Sequence, residues 1–294
     1  MNPMPRFGGD DVPPVPPERA RTVILPVPYE RTTTYGKGTS RGPAALLAAS
    51  GQVELFDEEL GLDPMDGGVA TLPPATADAM PDALAERLEP VVRAHLAAGR
   101  VVGALGGEHS VSLGPIRAAA RAHLGLGVLQ IDAHPDLRDA YEGTRYGHGC
   151  VMRRVLDDRS VGALVQVGLR AVSPEDAEAQ RADRRVRPFH AFDLARRDRA
   201  DWVAAVVEAL PREVYLTFDV DGLDPSIVPG TGTPEPGGLG WWDAMALLRE
   251  VAARRRVVAF DVVELLPQRD APLSEFAAAR LVMKILGYLA AARR

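Results

Sequence analysis

Asp132-Ala133-His134-Pro135-Asp136 sets two carboxylates and an imidazole at alternate positions, directly after the apolar run Val128-Leu129-Gln130-Ile131. In extended backbone, residues i, i+2 and i+4 share one face. The three groups are therefore expected to point the same way as a buried strand runs out. Carboxylates crowded into one apolar site resist ionising together. A divalent cation removes that conflict, so metal binding is the chemistry this spacing can do. A second pair two residues apart, Asp219 and Asp221, stands in Thr217-Phe218-Asp219-Val220-Asp221-Gly222-Leu223-Asp224-Pro225. His109 follows a third apolar run, in Gly106-Gly107-Glu108-His109-Ser110.

Either aspartate pair alone would read as a turn or helix cap, and His109 alone as a structural histidine, as His95, His123 and His190 do here. Ligand-type side chains at three separate strand ends point instead to one metal centre. Six such ligands oversupply a single ion, whereas two divalent cations balance the four aspartates. The mixed oxygen and nitrogen set without thiolate favours two Mn²⁺ per subunit, with Fe, Co or Zn compatible. The single cysteine, Cys150, lies two residues after His148, but nothing else suggests a Cys–His nucleophile, and it reads as a buried bystander.

The elements that must carry these groups alternate. Strands are expected at residues 23–27, 101–105, 128–131, 163–167, 213–218 and 256–260. Helices are expected at 43–49, 83–98, 113–123, 200–210, 241–253 and 274–292. Ser173 suits the N-cap of one further helix, Gly99 suits the end of another, and Pro90 is a difficulty inside the second. Such alternation predicts a mostly parallel sheet covered by helices on both faces. Open parallel sheets bind ligands beyond the carboxyl ends of their strands, which is where every one of these motifs falls.

The chain has 294 residues, 46% hydrophobic and 25% charged, as in a soluble globular protein. A net charge of −6 offers no basic field for nucleic acid. No apolar run approaches the roughly 20 residues that span a bilayer. One cysteine excludes an intrachain disulfide. Residues 1–20 hold Pro3, Pro5, Pro13, Pro14, Pro16 and Pro17 without an apolar core. They read as a flexible or extended proline-rich arm rather than a signal peptide, before a single catalytic domain at 21–294. The expected location is the cytoplasm.

Gly-Gly-Glu-His-Ser, Asp-Ala-His-Pro-Asp and Phe-Asp-Val-Asp-Gly-Leu-Asp-Pro, followed by Pro229-Gly-Thr-Gly-Thr-Pro234, resemble the signature blocks of the ureohydrolases, the arginase and agmatinase family. Thr32-Thr33-Thr34-Tyr35 with Gly38-Thr39 and Gly42-Pro43 is similar to the family's N-terminal block. The blocks occur in the family's order, from about Val23 to the C-terminus. Glu108 stands where the family more often has Asp, beside the ligand rather than at it. The resemblance implies an αβα sandwich around about eight strands, and a homotrimer or homohexamer. It also implies His109, Asp132, Asp136 and Asp221 on one side of a metal pair and His134 and Asp219 on the other, some carboxylates bridging.

The implied reaction is hydrolysis of a small cationic guanidine substrate by a hydroxide held between two cations, which lower the pKa of bound water. Glu264 matches the family's guanidinium-binding glutamate, and a carboxylate can accept two parallel N–H bonds from that group. Asp136 is expected to carry the proton from the hydroxide. His148 matches the family's proton-shuttling or substrate-orienting histidine. Residues 137–146 are expected to wall the substrate's distal end. Asp139 or Glu142 there could receive an ammonium, which favours agmatine, cleaved to putrescine and urea. N1-aminopropylagmatine, with two cationic nitrogens, also fits. Arg138 or Arg145 would suit the carboxylate of guanidinobutyrate or formimidoylglutamate, and the asparagine-rich segment of arginases is missing. The whole chain is most similar to bacterial agmatinases, which puts agmatine first. A zinc-dependent deacetylase shares a related sheet but needs one metal; the second aspartate pair and His109 argue against it.

Overall fold

Eight strands form one sheet: β1 (Thr22–Val27), β2 (Val69–Thr71), β3 (Val101–Gly106), β4 (Leu126–Ile131), β5 (Val161–Leu169), β6 (Val186–His190), β7 (Glu213–Asp219) and β8 (Arg256–Val263). The structure, a computed structural model, describes residues 4–293. The strand order is β2-β1-β3-β8-β7-β4-β5-β6 and every pairing is parallel. Six strands coincide with the apolar runs read from sequence. The other two, β2 and β6, are the sheet's edges. An edge strand pairs on one side only and needs no continuous apolar run. Pro188 sits in β6, where a missing N–H is tolerated.

The helices are α1 (Gly42–Ser50), α2 (Pro81–Ala97), α3 (Leu113–Ala122), α4 (Val151–Leu156), α5 (Pro174–Ala182), α6 (Ala191–Leu194), α7 (Arg199–Ala209), α8 (Trp241–Arg254) and α9 (Leu273–Ala291). Successive strand residues feed opposite cores, as the period of two requires. Val23, Leu25, Val128 and Leu164 pack with Leu84, Leu88 and Val92 of α2, Ile116 of α3 and Val155 of α4. Ile24, Leu129, Ile131 and Val165 pack on the other face with Leu46 of α1, Val206 of α7, Leu248 of α8 and Val282 of α9. This is the expected αβα sandwich.

Pro90 does lie inside α2. It is on the exposed face, so the carbonyl it leaves free meets water. Burial of Leu84, Leu88 and Val92, about 1.5–3 kcal/mol each, offsets a proline cost of about 3 kcal/mol. The proline-rich N-terminal stretch is anchored, with a turn at Phe7–Gly8 and a 3-10 helix at Pro17–Arg19. Phe7 and Val12 are buried, the Phe7 N–H donates to Thr71 Oγ1 at 2.9 Å, and the Gly8 N–H donates to Ser50 Oγ at 2.9 Å. Residues 1–3 of that stretch lie outside the described residues. Among the described residues, no helix is long and apolar enough to cross a membrane.

Candidate active site

The chain crosses from β3 to β4 while leaving room for β8 and β7 between them, so the carboxyl ends of these four strands lie side by side. Their ends line one cavity of about 170 Å³. β3 leads to His109, β4 to Asp132, His134 and Asp136, β7 to Asp219 and Asp221, and β8 to Glu264. All six expected metal ligands therefore converge. His109 and the four aspartates are buried.

Strand alternation is not what brings residues 132–136 together. β4 ends at Ile131, and Asp136 has a φ of 55°. Glu264, just past β8, has a φ of 63°. Non-glycine residues held in this region cost on the order of 1–3 kcal/mol each and persist only where their surroundings impose them. The Asp136 carbonyl accepts the Arg153 N–H at 3.1 Å, and the Glu264 N–H donates to the Gly107 carbonyl at 2.7 Å. Glu264 Oε1 also accepts the His109 backbone N–H at 2.6 Å.

The ligand-type atoms fall into two groups that share Asp132: His109, Asp132 and Asp219, and Asp132, His134 and Asp221. His109 Nδ1 lies 3.1 Å from Asp132 Oδ2, 3.0 Å from Asp136 Oδ2 and 3.5 Å from Asp219 Oδ2. His134 Nδ1 lies 3.1 Å from Asp221 Oδ2. Asp219 and Asp221 are thus exchanged relative to the division implied by the resemblance. Asp219 closes β7, whereas Asp221 sits in the following turn (Val220–Gly222), where its Oδ1 accepts the Ala133 N–H at 3.0 Å.

Whether these residues suit a cation follows from a buried relay behind His109. The Thr217 hydroxyl donates to Asp261 Oδ1 at 2.6 Å and stands 2.8 Å from His109 Nε2. Its proton is committed to Asp261, so it can only accept from Nε2–H. In the neutral imidazole, Nδ1 then turns a lone pair toward three carboxylate oxygens, and it has no hydrogen-bond partner of its own. A proton or a cation held between them relieves that repulsion. The surrounding groups show the same demand. Burial, then the Asp221 and Asp132 carboxylates, push the Asp219 pKa well above its ordinary value. Burial and Asp132 raise that of Asp136 to about 7. Burial opposes charge on His134, but Asp221 and Asp132 raise its pKa to about 12. The donor set fits divalent cations.

His148 lines the cavity as expected, edge-on to Tyr141 with ring centroids 6.0 Å apart. Burial lowers its pKa. Asp139 and Glu142 are not brought to the cavity. The Asp139 carboxylate accepts hydrogen bonds from Arg145 at 2.8 Å and Arg154 at 2.6 Å, and Glu142 is exposed in a turn at φ 46°. Arg138 and Tyr141 of the same loop form the wall instead, the guanidinium 4.2 Å above the ring. Residues 33–36, Asp176 and Thr233 also line it; the threonine-rich block after β1 was visible in the sequence, but not its direction. Tyr35, 83% exposed, stands at the rim.

Residues 20–287 match the family model described as the arginase family. The chain is 39% identical to an N(1)-aminopropylagmatine ureohydrolase of Synechocystis sp., over 94% of this chain and 91% of that one. It is 38% identical to the protein of the same name from Thermus thermophilus, over 96% and 93%. Among solved structures it resembles the agmatine ureohydrolase of Thermoplasma volcanium, with a TM-score of 0.87, 28% identity and coverage of 100% and 96%. The family match runs through every strand from β1 to β8 and the cavity at their ends, and the chain belongs to the arginase family.

Proposed function

We propose that this ureohydrolase acts on N1-aminopropylagmatine, releasing urea and the free triamine. The observation that carries a cationic substrate is Glu264: once Asp136, Asp219 and Asp221 are given to metal, Glu264 and Asp176 are the carboxylates left on the cavity wall, against the one guanidinium of Arg138. Arg138 is already stacked on Tyr141 and lies 3.9 Å from Asp176. The names of the Synechocystis and Thermus relatives favour the longer amine over agmatine, which the sequence reading put first. Agmatine stays the second reading, on the Thermoplasma structure.

In this reading His109, Asp132, Asp136 and Asp219 would hold one divalent cation and Asp132, His134 and Asp221 a second, with Mn²⁺ suited to such donors. Cations bound there would offset the aspartate charge and supply a water nucleophile at neutral pH. Glu264 accepts the guanidinium N–H groups; the left-handed backbone and the His109 N–H bond hold its carboxylate in place. Asp136 would carry the nucleophile's proton toward the departing amine, which leaves only when protonated. His148 exchanges protons with solvent.

The test is urea release by the Mn²⁺-loaded protein from N1-aminopropylagmatine, agmatine, arginine, guanidinobutyrate and formimidoylglutamate. The expected result is the highest kcat/KM for N1-aminopropylagmatine. A tenfold preference for agmatine would select the second reading, and no urea from any guanidine would remove both.

A further inference from the structure

Glu108 has no part in holding metal or substrate in the reading above, yet it is buried and four donors meet its carboxylate. Oε2 accepts the Arg31 N–H at 2.5 Å and the Thr32 N–H at 2.6 Å. Oε1 accepts the Thr32 hydroxyl at 2.6 Å and the Ser110 hydroxyl at 2.5 Å. Four donors fill the acceptor capacity of a carboxylate. The approach depends on Gly107, where a Cβ would collide with the Tyr29 carbonyl.

The Thr32 hydroxyl owns one proton, and the bond to Glu108 uses it. The same oxygen accepts the His148 backbone N–H at 3.0 Å and lies 3.3 Å from His148 Nδ1. Having no proton left to give, it can only accept from Nδ1–H. The other ring nitrogen, Nε2, is then the unprotonated one. We infer that Glu108 and Thr32 are positioning residues that hold His148 in the Nδ1–H tautomer, so that it meets the substrate as an acceptor at Nε2. His148 therefore takes a proton, or a substrate N–H bond, before it can give one. This deepens the proposed function and rests on it for the identity of the substrate, but the tautomer itself does not depend on turnover.

The experiment is ¹⁵N spectroscopy of the histidine side chains in the full-length protein, with and without diamagnetic Zn²⁺. There are six histidines, and His148→Gln assigns the signal. The expected wild-type pattern is protonated Nδ1 and unprotonated Nε2. Thr32→Val, which keeps the shape and removes the hydroxyl, should release the ring toward the tautomer that free imidazole favours. It should lower kcat about tenfold with KM changed less than twofold. Thr32→Ser should restore both. Glu108→Gln should invert the tautomer: its amide oxygen must serve the two backbone N–H groups, so its NH₂ donates to Thr32, whose proton then turns to Nδ1. Nε2–H in the wild type, or an unchanged tautomer in Thr32→Val, would overturn the inference. Absence of urea with the expected tautomer present would remove the proposed function and leave this arrangement standing.

Discussion

Thr217→Val removes a single hydroxyl from behind the cavity and leaves every expected ligand residue in place. Its oxygen bridges His109 Nε2 at 2.8 Å and Asp261 Oδ1 at 2.6 Å, and all three residues are buried. Asp261 keeps the Tyr215 hydroxyl at 2.7 Å, whereas the Nε2–H loses its acceptor. An unsatisfied buried donor costs about 1–3 kcal/mol. His109 can escape that cost only by moving the proton to Nδ1, the atom that faces Asp132, Asp136 and Asp219. Either way the penalty falls on the metal-bound form. Metal affinity should drop about 10- to 100-fold, the usual size for a partner that orients a ligand histidine. Competition with a calibrated chelator measures this for Mn²⁺ or Zn²⁺, with circular dichroism confirming the fold. Thr217→Ser keeps the relay and should stay within about threefold of wild type. A folded Thr217→Val that binds metal within twofold of wild type would refute the relay and the tautomer assigned to His109.

The remaining outcomes concern two residues away from the metal groups. Lys284 of α9 is 4% exposed, with Nζ 2.9 Å from both Asp57 Oδ2 and Glu59 Oε2. Lys284→Met leaves Asp57, 2% exposed, without its cation and should cost about 3–5 kcal/mol in a urea melt. Burial lowers the Lys284 pKa, but the bonds to Glu59 and Asp57 prevail and raise it. Its contribution is therefore full below the unfolded value of about 10.4 and fades as pH rises through the folded one. Wild type should lose stability in alkali more steeply than Lys284→Met; equal slopes would contradict this. Asp139→Ala, by contrast, should leave kcat/KM within twofold and lower only Tm, because that carboxylate serves Arg145 and Arg154. Arg145 and Arg154 hold its pKa down to about 2. A tenfold fall in kcat/KM would return Asp139 to the substrate wall.

The central strands were legible because each is a short, mostly apolar run buried on both faces, interrupted only singly by polar residues such as Gln130 in β4 and Thr217 in β7. The edge strands β2 and β6 were not, since an edge is defined by the neighbour it lacks. The candidate ligand set was legible for a related reason: charged groups immediately after a buried strand stand out in sequence. Their assortment was not. Asp219 and Asp221 are two residues apart, yet the turn between them sends one toward His109 and the other toward the chain at Ala133. The substrate wall misled for the same reason. Asp139 and Glu142 carry the expected charge, but Arg154 claims the first and a turn at positive φ carries the second to the surface.

By itself the sequence determined the class of architecture, from side-chain type and local period, and marked six candidate metal residues by their type and their place just after buried strands. The tertiary structure decided which carboxylate faces which imidazole, and what Glu108 and Thr217 are for. Thr32 and Glu108 are 76 residues apart, and Thr32 and His148 are 116 apart. Thr217 and His109 are 108 apart. A hydroxyl has one proton to give, and where it goes depends on which acceptor the folded chain brings within 3 Å. Local spacing reports the direction of a side chain along its own strand. It carries no record of the partner that arrives from another strand end.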